Sequence, residues 1–365
     1  MNNYRKLNNL LGWFTFAIAS VVYLKTAEPT ASWWDCGEYI STAFKLQVGH
    51  PPGAPTFQML GRFFSLFAFG DLSKVALMVN CMSALASGFT ILFLFWSITA
   101  ITKKLVADKE MSNGQMWAVL GSGFVGALAY TFSDSFWFSA VEGEVYAMSS
   151  FFTAVVFWAI LKWEAVADQK HSSRWILLIA FLMGLSIGVH LLNLLAIPAI
   201  SFVYYFKKYK ATTKGVISTA FISIFILAVV MYVIIPWIVK LAGSFELFFV
   251  NTIGLPFNSG TLIYFAIIIG AIVWGLIYTR NHNRSVLNMV ILCFTFILIG
   301  YSSFFMLIIR ANANTPINEN DPDDAIGLLS YLNREQYGDW PIVYGQYYNA
   351  PVVEYKDGSP IYIKD

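Results

Sequence analysis

Nine apolar runs punctuate the chain, at about 10–26, 75–101, 116–132, 145–162, 175–190, 191–206, 215–240, 261–279 and 286–309. A helix needs about 20 apolar residues to cross a bilayer core. The pattern therefore predicts an all-α polytopic membrane protein of about nine transmembrane helices. The stretch 175–206 is too long for one crossing and short for two; it reads as a thin-armed hairpin with its tip near His190 to Asn193. The first run follows Arg5 and Lys6 and reads as an uncleaved anchor, because no small-residue cleavage site intervenes before Trp33-Trp34.

Composition agrees. Of the 365 residues, 58% are hydrophobic and only 12% charged, against about 25% charged in ordinary soluble domains. Soluble, fibrous, disordered and nucleic-acid-binding classes drop out. The three cysteines show no metal-type spacing, and no structural disulfide is expected. Neither a Walker loop, a dinucleotide glycine fingerprint nor a zinc signature occurs, so ATP-driven pumping has no support.

Charge sidedness adds an orientation. With the N-terminus in the cytoplasm, most of the 23 basic residues lie inside, among them Arg5, Lys6, Lys103, Lys104, Lys109, Lys162, Lys207 and Lys208. Of the 21 acids only Asp108, Glu110, Glu164 and Asp168 join them. The positive-inside rule favours this arrangement and puts three polar segments outside. These are a long loop, 25–74, whose apolar part Pro55 to Phe69 lies flat or re-enters; a short acidic loop, Ser133 to Glu144; and everything after Arg310. Residues 1–310 thus form the membrane domain. Residues 311–365 read as the start of an extracytoplasmic soluble region, and the abrupt end after a strand-like Pro360-Ile361-Tyr362-Ile363 suggests a truncated one.

The candidate chemistry sits in those outer segments. If 33–47 is helical, Asp35 and Glu38 share one face with Tyr39 beside them, while Trp33 and Trp34 anchor at the interface. Two such carboxylates suit a general base for a hydroxyl, or a metal ligand; a solvated acidic loop accounts for them equally well. Gly49-His50-Pro51-Pro52-Gly53 is a stiff corner that either presents His50 to a phosphate or only turns the chain. Glu142 and Glu144 open a span, as acceptor or ion contacts or as caps favoured by the helix dipole. His190 and Asn193 at the hairpin tip are a site by default or a satisfied interfacial pair. Arg310, and more weakly Arg62, has the fork for a lipid phosphate, with snorkelling as the plain alternative.

Together these motifs, Trp33 to Tyr39, Gly49 to Gly53, Val141 to Tyr146, Gly188 to Asn193 and Arg310 to Asn312 with Pro316 to Asn320, resemble a family of Bacteroidota multi-pass proteins long labelled a domain of unknown function. That domain is shared with the vertebrate transmembrane O-mannosyltransferase acting on plexin-type domains. The resemblance implies a C-type membrane glycosyltransferase fold with a polyprenyl-phosphate sugar donor, and Asp35 as base with Glu38 as helper. It further implies an exported protein as acceptor, in the inner membrane with the active site and C-terminus periplasmic. Arg310, His190, His50 and Asn193 would then attend the donor phosphate, and Glu142, Glu144 and Tyr39 the acceptor or an ion. No cofactor is required; a divalent metal is admitted, although no ligand set stands out. A secondary transporter, a non-catalytic lipid carrier or flippase, and a purely structural envelope component are the competing classes. The charged candidates lie at the outer edge rather than at mid-membrane, which counts against transport.

Overall fold

The computed structural model describes residues 2–106, 111–338, 345, 347, 349–356 and 359–362; Asp108, Lys109, Glu110 and Ile363, used in the sequence reading, lie outside them. It is an all-α membrane protein. Every apolar run is helical: α1 (Asn2–Thr26), a polar-loop pair α2 (Cys36–Lys45) and α3 (Pro55–Ser65), then α4 (Val75–Val106), α5 (Asn113–Thr131), α6 (Asp134–Ala140), α7 (Val145–Val166), α8 (Ser173–Ile187) and α9 (Ala196–Lys208). There follow α10 (Thr213–Val229), α11 (Ile235–Leu247), α12 (Ser259–Asn281), α13 (Ser285–Tyr301), α14 (Phe305–Ala311) and α15 (Ala325–Asn333). A two-stranded antiparallel ribbon, β1 (Val352–Lys356) and β2 (Ser359–Tyr362), comes last.

Among the described residues, six helical stretches are long and apolar enough to cross a membrane, and α5 with α6, bent by 69°, makes a seventh. The remaining two of the nine runs are α8 and α9, of 15 and 13 residues. They form the short hairpin, turned by a 3-10 segment at Leu191–Leu195. The segment expected to be a wholly acidic loop contains α6, with Asp134 in its first turn. Pro55 to Phe69 does not cross: proline starts α3, a 3-10 turn ends the segment, and it packs on α2 and α4. Residues 213–252 form one helical run interrupted by π turns at Val230–Ile234 and Phe248–Thr252. The first of these precedes Pro236, whose ring and missing N–H disturb the regular ladder.

α4 is the central post, packed against α1, α5, α7 and α3, and α8 lies against α13. Between apolar helices in lipid the attraction comes from close packing, so small residues mark the contacts. A side chain at Gly184 would run into the carbonyl of Ile297, and one at Gly300 would meet the Phe181 carbonyl at 2.7 Å. Glu246, an acid in an apolar run, caps the next helix: it accepts hydrogen bonds from the backbone N–H groups of Asn258 (2.5 Å) and Thr261 (2.9 Å).

Up-and-down passes carry the C-terminal ends of α1, α5, α8 and α14 and the N-terminal ends of α4 and α7 to one end of the bundle. α2, α3 and α15 gather there too. Residues 311–333, read from sequence as the start of a separate region, join this end directly. The Val48 N–H donates to the Ile317 carbonyl (3.1 Å), the Glu319 N–H to the Val48 carbonyl (3.1 Å), and Tyr331 is fully buried. Replacing Gly300 by Val should separate α8 from α13 and cost about 1–3 kcal/mol. A lowered unfolding temperature in detergent, with helix content retained, checks this.

Candidate active site

α2 is bounded by two left-handed residues, Trp34 (φ 58°) before it and Leu46 (φ 48°) after it. These end the helix on both sides of the predicted span 33–47. Trp33 and Trp34 are 80% and 92% exposed, as interface anchors are. Asp35 occupies the N-cap position, yet its side chain caps nothing. The carboxylate is left to face His50, with Oδ2 3.8 Å from Nε2.

The His50 ring lies between two acids. Its Nδ1 is 3.0 Å from Glu38 Oε2, and its backbone N–H donates to Glu38 Oε1 at 2.5 Å. Burial alone would raise the Glu38 carboxyl, but the hydrogen bonds from His50 outweigh it and hold the group below its usual range. The same hydrogen bond raises His50 against its burial, with the Glu38 and Asp35 charges adding to the effect. Gly49 is required here, since any Cβ would strike the Glu38 carboxylate. Tyr39 sets its ring edge-on to His50 at 5.5 Å. From below, the Tyr331 hydroxyl donates to the Gly49 carbonyl (2.5 Å) and lies 3.1 Å from that of His50. Gly53, at φ 67°, leaves room for that hydroxyl, 2.8 Å from where a Cβ would be.

Among the described residues, Asp35, Glu38 and His50 are the one group with metal-ligand spacing, their ligand atoms all within 4.8 Å of one another. Two carboxylate oxygens and an imidazole nitrogen suit a divalent ion such as Mn or Zn. Without one, His50 shares a hydrogen bond with Glu38, and Asp35 stands 3.8 Å from the other ring nitrogen, at ion-pair rather than hydrogen-bond distance. The sequence offered no such set because His50 lies twelve residues beyond Glu38, and only the loop between α2 and α3 folds it back.

Glu142 and Glu144 are both buried, at 5% and 6% exposure. Burial raises Glu142, and Ser32 and Cys36 beside it offset part of this. Glu144 is pushed up to about 7, chiefly by burial, with the Asp35 and Glu142 charges adding and the backbone N–H groups of Tyr146 and Val145 opposing. Its Oε2 is buried with no hydrogen-bond partner. The Cys36 thiol, enclosed beside these acids, is pushed up to about 12 by burial and then by their charges.

The four residues expected to attend a phosphate are not brought together. His190 tilts against Tyr146 (5.5 Å), accepts the Leu192 N–H at Nδ1, and is driven toward the neutral form by burial. Asn193 is buried in the hairpin and donates to Ser186 Oγ (2.7 Å). His50 stays with the carboxylates. Arg310 lies at the other end of α2, where Nε donates to the Leu46 carbonyl (2.5 Å) and a terminal nitrogen to that of Lys45 (3.2 Å). Arg62 donates to the Phe44 carbonyl (2.7 Å). Lys45, Arg62 and Arg310 line a cavity of about 530 Å³ that no acid among the described residues enters. Sequence reasoning missed Lys45 and Tyr331; a lysine ending a short amphipathic helix and one tyrosine in a tyrosine-rich tail carry no local signal of their place.

A carboxyl whose pKa is higher folded than unfolded favours folding while protonated. The Glu144 contribution is therefore complete below its ordinary 4.5 and lost as pH rises through about 7. Glu144→Gln should flatten the pH dependence of thermal stability across that window, removing a change on the order of 3 kcal/mol. Unfolding temperatures of both proteins at several pH values between those limits check it.

The segment that carries the site is similar to known proteins. Residues 35–213 match the family described as the protein O-mannosyl-transferase TMEM260 N-terminal domain. Over 141 residues, 39% of this chain, it is 29% identical to the protein O-mannosyl-transferase tmem260 of Dictyostelium discoideum. Over 173 residues, 47% of the chain, it is 27% identical to protein O-mannosyl-transferase TMEM260 of Mus musculus. These stretches span only 15% and 22% of the two relatives' lengths. No solved structure matches the chain. The matched segment runs from Asp35 past His190 and so takes in Glu38, His50, Glu142 and Glu144.

Proposed function

We propose that the chain is a membrane glycosyltransferase that moves a sugar, mannose by analogy with the named relatives, from a polyprenyl-phosphate donor to a Ser or Thr hydroxyl of an exported protein. The observation that carries this reading is the polarity of α2: carboxylates with an imidazole at one end, three cations around an acid-free cavity at the other. A single displacement is in line, with the base and the phosphate-binding cations at opposite ends of the reacting atoms. Two hydrogen bonds of about 2.8 Å, a reacting contact of about 3 Å and the bonds from the anomeric carbon to a phosphate oxygen total about 12 Å. The ten residues of α2 span about 15 Å at the helical rise, and side chains lean inward from both ends.

In this mechanism Asp35, half exposed and free of capping duty, takes the proton of the acceptor hydroxyl as its oxygen attacks the anomeric carbon. The bond to the lipid phosphate breaks, the configuration inverts, and the leaving phosphate keeps the electron pair. Glu38 and His50 orient Asp35 rather than react. Lys45, with the guanidinium N–H groups of Arg62 and Arg310 left over from the α2 carbonyls, stabilises the leaving charge. Should a divalent ion bind at Asp35, Glu38 and His50, it would supply further stabilisation of negative charge. Exposed Phe63, Leu66, Phe67 and Phe69 beside Arg62 give the isoprenoid tail an apolar path. The acidic end of the bundle is placed on the periplasmic side of the inner membrane and the lysine-rich end in the cytoplasm, which keeps the positive-inside rule.

The test is transfer of labelled mannose from synthetic polyprenyl-phosphate mannose to an exported Ser/Thr-containing protein. Asp35→Asn should lower kcat by about 10²–10⁴ and leave donor binding intact. Arg62→Gln should instead weaken donor binding by about tenfold. A carrier or flippase would bind donor equally with and without Asp35 and transfer nothing, and that outcome would reject the enzyme reading.

A further inference from the structure

A second polar region lies at the opposite end of the bundle. There the first turns of α1 and the last turns of α4, α7 and α9 surround a cavity of about 1030 Å³, lined by Arg5, Lys103, Lys104, Lys162 and Lys207, with Glu164 as its one acid among the described residues. We propose that this cavity binds the phosphate group of an anionic membrane lipid, independently of the glycosyltransferase reading.

Five cations converge on one space from four helices. Glu164 pairs with Lys104, and Asp168, outside the cavity, accepts from Lys207 (2.8 Å) and Lys208 (3.2 Å). Among the described residues that leaves Arg5, Lys103 and Lys162 without a carboxylate. Like charges gathered at the edge of an apolar bundle repel, and a bound anion removes the cost. The cations are also held in place: the Lys103 ammonium sits over the Tyr4 ring at 5.0 Å and that of Lys162 over Trp158 at 5.2 Å. Trp158 stacks on Trp96 at 5.7 Å, and Trp96 donates its indole N–H to the Asn8 carbonyl, tying α1, α4 and α7 together beneath the charges. A free phosphate would fill a small part of this volume. The cavity also carries an apolar wall, Trp96, Ala100, Leu161 and Ala165, beside its cations, as a glycerol backbone and the start of its chains require. Basic pockets between transmembrane helices take phosphate headgroups by this logic.

The full chain, purified in detergent, would be titrated with phosphatidylglycerol and with phosphatidylcholine and the bound lipid counted by native mass spectrometry. Wild type should take one phosphatidylglycerol in preference to phosphatidylcholine. Lys103→Gln with Lys162→Gln should weaken that binding about 25-fold, at about fivefold per lysine, while Lys103→Arg with Lys162→Arg and the distant Lys210→Gln keep it. Millimolar inorganic phosphate or glycerol 3-phosphate that displaced the lipid would keep the phosphate site but make its source a soluble one; failure to displace it favours the lipid. Equal binding of the two lipids by wild type, or undiminished phosphatidylglycerol binding by the doubly neutral variant, would overturn the proposal.

Discussion

The short helix α2 is fastened at both ends by charge-assisted hydrogen bonds, and the arrangement of the polar end of the bundle follows from that. At its C-terminus the last carbonyls have no helical partner, and Arg62 and Arg310 supply the donors from α3 and α14. At its first turn Glu38 takes up the imidazole and backbone N–H of His50. One clamp draws in residues hundreds of positions away; the other closes the loop to α3. Because Glu38 is consumed in fixing His50 and Arg310 in fixing α2, Asp35 is left as the exposed carboxylate with no structural duty. A free carboxylate and a rigid frame are produced by the same contacts.

Beneath this frame the fold accepts two buried acids, which ordinarily cost several kcal/mol each unless neutral or paired. Glu142 has Ser32 and Cys36 beside it, and Glu144 escapes the cost by holding its proton to about 7. The divergence between Glu38, pulled below its usual range, and Glu144, pushed above it, separates one carboxylate that stays charged from one that can exchange a proton near neutral pH. Such divergence within one site is what acid–base chemistry uses. A loop of solvated acids would leave both near their ordinary values.

Helices and their ends were legible in the sequence because bilayer length and apolar continuity are one-dimensional properties. The hairpin tip near His190, the gathering of Asp35, Glu38 and Glu142 at one end of the bundle, and the run after Pro55 that does not cross could all be read that way. What could not be read was pairing across the chain. Arg310 reads as a phosphate ligand or a snorkelling residue, but its hold on the carbonyls of Lys45 and Leu46 could not be foreseen, because a backbone carbonyl leaves no mark in a sequence. Asn193 looks like a site residue until Ser186 is seen beside it. The boundary at 310 likewise reflects a change of composition, which does not reveal that Tyr331 returns to hold Gly49 and His50.

The two ends of the bundle also differ in how their charges are neutralised, and the difference bears on function. At the α2 end acids outnumber bases near Asp35, and they are handled by protonation and by one imidazole, so the site attracts protons and cations but repels a bare phosphate. In the proposed reaction an anionic donor would approach from the side of Arg62 and Arg310, where Lys45 and the exposed aromatic residues after α3 also lie. One-sided access of that kind would set the order of groups along α2, phosphate toward the arginines and sugar toward the acid, and would present the anomeric carbon's free face to an acceptor coming from solvent. Under the same proposal inversion would follow from the electrostatics of approach before any bond is made.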